Sequence, residues 1–157
     1  MKSLVVYYSL EEKGNTRVVA EKIAQMTGAD IARIEGEIGY PSNYEELCKV
    51  AKNEIDNNIH PKMKVLNLNY SEYGVIYLGF PIWYRTYPRL VASFIDEADL
   101  KDKVVRPFCT NEEGAFGVAD FELSTAVKMK GGRLEKGLAV KSFNVSSCDE
   151  ALRTWLG

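Results

Sequence analysis

"VVYYSLEEKGNTRVVAEKIAQ", residues 5–25, decides the fold. A β-branched and aromatic run, "SLVVYY" (3–8), has no polar alternation, as expected of a strand buried on both faces. From Asn15, the apolar positions Val18, Val19, Ile23 and Met26 recur at helical spacing, and Gly28 sits where a left-handed cap would stop the helix. Between strand and helix lies a short polar turn, Ser9 to Gly14. A strand, a tight turn and a helix start place free backbone N–H groups and the positive end of a helix dipole together, which suits an anion. Ser9, Asn15 and Thr16 add polar groups, and Gly14 permits a tight backbone. The turn also carries adjacent Glu11 and Glu12. It is neither a G-x-x-x-x-G-K-[ST] loop nor G-x-G-x-x-G. Taken alone it reads equally well as an ordinary capped helix after a strand.

The strand–helix alternation continues down the chain. "DIARIE" (30–35) reads as a more exposed strand. Ser42 and Glu45 have capping-box spacing before a helix over 44–56. "GVIYLGF" (74–80) is a strand and "RLVASFID" (89–96) a helix. "KVVRPFCT" (103–110) is a strand, followed by a helix over 120–132 closed by Gly131 and Gly132. "LEKGLAVKSF" (134–143) holds the fifth strand. Ser147 and Glu150 repeat the capping-box spacing before the last helix, residues 148–157. Five βα units predict a parallel sheet covered by helices on both faces, with ligands taken beyond the carboxyl ends of the strands.

The chain has 157 residues, 46% hydrophobic and 27% charged, which fits one domain, 1–157, with an ordinary core. A net charge of −2 gives no field for nucleic acid. Three cysteines, Cys48, Cys109 and Cys148, form no C-x-x-C pair, which argues against a disulfide framework or zinc site and for a reducing cytoplasm. The apolar run at the N-terminus is short of a secretory leader, and no run approaches the about 20 residues of a membrane span. His60 is the single histidine, so no metal site and no Ser-His-Asp machinery is expected.

Two further loops leave strand ends with unusual content. "FPIWYRTYP" (80–88) puts Trp83 and Tyr84 just past a strand, bracketed by Pro81 and Pro88. A flat ligand could stack on either ring, with Arg85 and Thr86 as polar contacts; the alternative is that Trp83 caps the core beneath a surface loop. "TNEEGAFG" (110–117) has two glycines that allow close backbone approach. Thr110 and Asn111 suit the edge of a heterocycle, whereas Glu112 and Glu113 fit plain solvated charges. Cys109, at the end of its strand, reads as a buried structural thiol.

Together "YYS…GNT…A" (7–20), "LGFPIWYRTYP" (78–88) and "PFCTNEEGAFG" (107–117) resemble the flavodoxin-like family, in particular its short bacterial members. The resemblance spans nearly the whole chain. It implies a three-layer sandwich, a five-stranded parallel sheet of order 2-1-3-4-5 and the cofactor FMN. By matching motif, Ser9, Gly14, Asn15 and Thr16 would hold the phosphate. Pro81, Ile82, Trp83, Tyr84 and Thr86 would form one ring loop; Thr110, Asn111, Glu113, Gly114, Phe116 and Gly117 would form the other. The family's phosphate loop commonly reads S/T-x-T-G-N-T. "SLEEKGNT" is two residues longer and lacks the central threonine, so the cradle requires Lys13 as a nearby cation and Glu11 and Glu12 turned outward. The implied function is an FMN electron carrier serving redox partner proteins, with a carboxylate such as Glu113 lowering the flavin potential. Two alternatives are an FMN-dependent NAD(P)H quinone or nitro-compound reductase and a binding module that has lost FMN. No catalytic or metal-ligating side chain, nucleic acid or membrane partner is expected, and the chain would be a monomer or a homodimer.

Overall fold

The computed structural model describes residues 1–157. Strand β1 (Lys2–Tyr7) lies inside a parallel sheet, between the edge strand β2 (Asp30–Arg33) and the central strand β3 (Tyr73–Pro81). Next come β4 (Val104–Asn111) and a fifth strand in two pieces, β5 (Arg133–Leu134) and β6 (Leu138–Lys141), both paired in parallel with β4. The order β2-β1-β3-β4-β5 agrees with the order implied by the resemblance.

Side chains alternate across the pleat, so β1 feeds two cores. Leu4 and Val6 join one, which contains Leu90, Val91, Phe94 and Ile95 of α3 (Arg89–Glu97) and Leu123 and Val127 of α4 (Ala119–Met129). Val5 and Tyr7 join the other, with Val19, Ala20 and Ile23 of α1 (Asn15–Thr27) and Leu152 of α5 (Asp149–Leu156). Helix α2 (Tyr44–Asp56) buries Leu47 and Ala51 and packs against α3. Gly28 caps α1 in the left-handed region, at φ 74°, its N–H donating to the carbonyl of Ala24.

The structure departs from the sequence reading in three places. The fifth strand breaks between Leu134 and Leu138, opposite Arg106 and Pro107 of β4. In a parallel strand the backbone groups of successive residues face alternate sides. The carbonyl of Val105 accepts from Glu135 on this edge, and that of Thr110 accepts from Ile82 on the other. Pro107 therefore stands where β4 should donate to the fifth strand, and it has no N–H. The first capping box shifts by one residue: Asn43, not Ser42, accepts from the backbone of Glu46, at 3.0 Å. At the second, Ser147 donates instead to the carbonyl of Asn144, and α5 starts without a side-chain cap.

Burial also sorts the cysteines. Cys109 is fully buried, which pushes its thiol up to about 12; Cys148 is buried and raised for the same reason. Cys48, on α2, is half-buried. A disulfide reagent at pH 8 should titrate one thiol, Cys48, in the native protein and three in denaturant; a second fast thiol in the native state would contradict this packing.

Candidate functional site

Strand order reverses between β1 and β3, and the crevice opens where their carboxyl ends release the chain. Three loops leave that rim: 8–14 after β1, 82–88 after β3 and 112–118 after β4. One cavity of about 420 Å³ is bordered by all three.

Its first wall is the start of α1. Gly14 is the N-cap residue, at φ −76° and ψ 170°, and no side chain caps the helix. The first-turn amides are thus left without a protein acceptor, as an anion site needs. Gly14 donates to the carbonyl of Glu11 (3.1 Å) and so does the hydroxyl of Ser9 (2.8 Å), which closes the turn on itself. A Cβ on Gly14 would lie 2.3 Å from Ser9 Oγ, so the turn's tightness depends on glycine. Thr16 and Thr110, both buried, share a hydrogen bond of 2.8 Å that ties the helix start to the end of β4.

The two carboxylates separate. Arg17 reaches back to the carbonyl of Glu12 (2.7 Å) and its carboxylate (3.8 Å), while also holding Glu21 at 2.7 Å. Glu12 is 80% exposed along that outer face and is absent from the cavity lining. Glu11 stays on the rim, in solvent, where its charge is screened. Lys13 borders the cavity. The elongated turn therefore keeps its cation at the cradle and one carboxylate out of it.

The second wall is the loop after β3. Trp83 borders the cavity and stands edge-on to Tyr8 (5.7 Å, 87°) and Tyr40 (5.2 Å, 88°). Those rings fix the indole from behind, and Tyr40 is itself held by a hydrogen bond to Glu54 at 2.7 Å. Trp83 thus packs on the core and borders the cavity at once. Trp83 and Thr86 exchange two backbone hydrogen bonds, of 2.8 and 3.1 Å, around Tyr84 (φ 49°) and Arg85 (φ 68°). Two consecutive left-handed residues make this a mirror-image β-turn, built without the glycine or asparagine such turns favour.

The third wall is the loop after β4. Asn111 accepts from the amides of Gly114 (2.8 Å) and Ala115 (3.1 Å) and donates to the carbonyl of Ala115 (2.7 Å). A neighbouring space of about 810 Å³, sharing Ile82, Asn111 and Glu112 with the first cavity, is bordered also by Arg85, Glu113 and Gly117.

The structure brings Ser9, Lys13, Gly14, Asn15, Thr16, Pro81, Ile82, Trp83, Thr110 and Asn111 around the first cavity, and Glu113 and Gly117 around the second. Four expected residues lie elsewhere. Tyr84 swings out to the carbonyl of Cys48 (3.3 Å). Thr86 is buried, its hydroxyl donating to Glu122 on α4. Phe116 packs inward on Phe80, 6.3 Å between ring centres. Gly114 lies beneath the side chain of Lys141. Leu10, Arg85, Glu112 and Ser142 also border these spaces; the sequence reading named Arg85 as a polar contact and Glu112 as a solvated charge, and passed over Leu10 and Ser142. The first three lie in the quoted loops. Ser142 comes from the end of β6 and carries no local signal; only strand adjacency to β4 brings it in.

Comparison with known proteins agrees with this architecture. Residues 2–157 match the family model described as flavodoxin. A solved structure of a candidate flavoprotein from Bacteroides eggerthii is 28% identical, with a TM-score of 0.83, covering 99% of this chain and 95% of that one. Another candidate flavoprotein, from Bacteroides uniformis, is 26% identical, with a TM-score of 0.84, covering 99% and 97%. A Lactobacillus acidophilus flavoprotein solved in complex with FMN shares the fold at 19% identity, with a TM-score of 0.78 and 99% coverage of both chains. Among curated proteins none matches the chain.

Proposed function

The chain belongs to the flavodoxin family, and from that premise we propose that it is an FMN-binding redox protein, an electron carrier working through a flavin seated between the three strand-end loops. One observation carries the reading: a single cavity is bordered by the uncapped start of α1 and by the Trp83 loop, so an anion site and an aromatic wall share one space. FMN, when bound, supplies one- and two-electron redox chemistry. The chain's own part is to bind and orient. The amides of Asn15 and Thr16 and the hydroxyls of Thr16 and Thr110 suit the phosphate, with Lys13 as a countercharge. Trp83, held rigidly by Tyr8 and Tyr40, offers a fixed apolar surface to the ring. The backbones of 81–83 and 111–117 suit its polar edge. The FMN held by the Lactobacillus relative supports the same assignment.

Carriers exchange electrons with partner proteins across an open rim, and the exposed Glu11, Glu112 and Glu113 suit a basic partner. The three unpaired thiols suit a reducing compartment such as the cytoplasm. No helix is long and apolar enough to cross a membrane. The reductase reading draws on one feature, the open space beside Arg85 that a second substrate could enter.

The test is an FMN titration followed by rapid mixing with NADPH. Quenching of FMN fluorescence with a 1:1 endpoint is expected, with no flavin bleaching unless a partner reductase is added. Rapid bleaching by NADPH alone would make the protein a reductase. Failure to quench would leave a flavodoxin-fold binding module without its flavin.

A further inference from the structure

The turn from Trp83 to Thr86 is held from behind by α4. The amide of Val118 donates to the carbonyl of Arg85 at 2.8 Å, and Gly117 packs so closely there that a Cβ would lie 2.4 Å from the same oxygen. Thr86, 2% exposed, donates through its hydroxyl to the carboxylate of Glu122. Arg89, 5% exposed, brings one guanidinium nitrogen to 3.4 Å from both oxygens of Glu122 and from the Thr86 hydroxyl. Its guanidinium also lies over the ring of Tyr87, 4.6 Å from the centroid. Glu122 is thus the one acceptor that joins α4, the start of α3 and the end of the turn. The turn needs such a tie, because its two central residues are an arginine and a tyrosine in a conformation that L side chains disfavour. A turn of this kind has alternatives of lower local energy, and tertiary contacts decide which is populated.

We propose that Glu122 is a positioning residue for the ring loop: through Thr86 it holds the left-handed Tyr84–Arg85 turn, and so keeps Ile82 and Trp83 at the cavity wall. Glu122 borders neither cavity and touches no proposed ligand. Its effect on FMN rests on the reading above; its effect on the turn does not. Removing the carboxylate leaves the buried Thr86 hydroxyl without the acceptor it donates to, and the Arg89 nitrogen with only that hydroxyl. The turn then relaxes away from two left-handed residues.

The test has two readouts. In the apoprotein, Glu122→Ala should speed hydrogen exchange at the amides of Trp83 and Thr86, each of which donates to the other residue's carbonyl across the turn, by at least about tenfold. The amide of Ile76, deep in β3, should change far less. Equal acceleration at all three sites would mean general destabilisation and would overturn the proposal. In the second readout, FMN affinity should fall about tenfold in Glu122→Ala and return in Glu122→Gln, whose amide oxygen can still accept from Thr86. The same Glu122→Ala change made in an Arg85→Gly background, where the turn's second left-handed position is intrinsically favourable, should cost less than half as much on a logarithmic scale. An identical loss in both backgrounds would overturn the proposal. A wild-type protein that fails to bind FMN would sink the flavin reading while leaving the exchange experiment decisive for the turn.

Discussion

Gly79→Ala should lower the unfolding free energy by about 3 kcal/mol, the upper end of the ordinary cost of overpacking a close-packed core. Gly79 lies on β3 between Tyr7 of β1 and Phe108 of β4, in the middle of the sheet. Phe108 is fully buried on the face covered by α1 and α5, and its ring fills the space beside Gly79. A Cβ there would fall 2.0 Å from Cζ, 2.2 Å from Cε2 and 2.7 Å from Cε1. Three ring atoms collide at once, so turning the ring in place does not help, and neither neighbouring strand can move without breaking its ladder. For a chain of this length the loss corresponds to roughly 6–10 °C in melting temperature. Chemical denaturation measures it directly. The clash account also requires that Phe108→Leu, destabilising alone, give back part of the loss when combined with Gly79→Ala. A denaturation midpoint unchanged by Gly79→Ala would refute this packing.

Gly14→Ala should instead spare stability and weaken binding. Its backbone angles suit any residue, so no conformational strain arises. The obstacle is space: the added methyl group would sit 2.3 Å from Ser9 Oγ and 3.2 Å from the carbonyl of Glu11. Ser9 must release Glu11, and the turn that presents the first amides of α1 must open. Hydrogen bonds to a charged phosphate contribute about 1.5–3 kcal/mol each. Losing one or two weakens FMN binding roughly a hundredfold. The discriminating variant is Ser9→Ala with Gly14→Ala, which removes the colliding oxygen and should recover much of the affinity. Should the double variant bind no better than Gly14→Ala alone, steric closure of the turn is the wrong explanation.

How much of this was legible in the sequence depended on whether the deciding forces were local. The runs 3–8 and 74–80 are apolar on both faces because both faces are buried, and a pattern of that kind is read directly. Gly28 marked the end of α1 because a left-handed cap is a property of one residue. Strand order was different; it came from family resemblance, since no residue encodes its neighbour across a crossover. The break in the fifth strand was hidden for a related reason. Its cause, Pro107, lies in β4 and acts on another strand through a donor that it lacks. At the candidate site, the turn before α1 was visible as glycine, asparagine and threonine after a strand. The inward rotation of Thr86 was not, because Tyr84 and Arg85 carry no turn signal and are held in place by α4, more than thirty residues away in the chain. The outward path of Glu12 depended likewise on Arg17, whose reach back over the turn is a matter of helix geometry and not of spacing to the cavity.

The interrupted fifth strand also bears on how molecules of this protein meet one another in a crowded solution. A sheet edge displays unpaired N–H and C=O groups and can recruit a strand from a second chain, the first step toward aggregation. Here that edge is cut into pieces of two and four residues, separated by a bulge at Glu135–Gly137. The opposite edge, β2, is only four residues long and carries Asp30 and Arg33. Neither border presents a straight ladder long enough for an incoming strand to register. A proline placed one strand inward thus protects the outer border of the sheet.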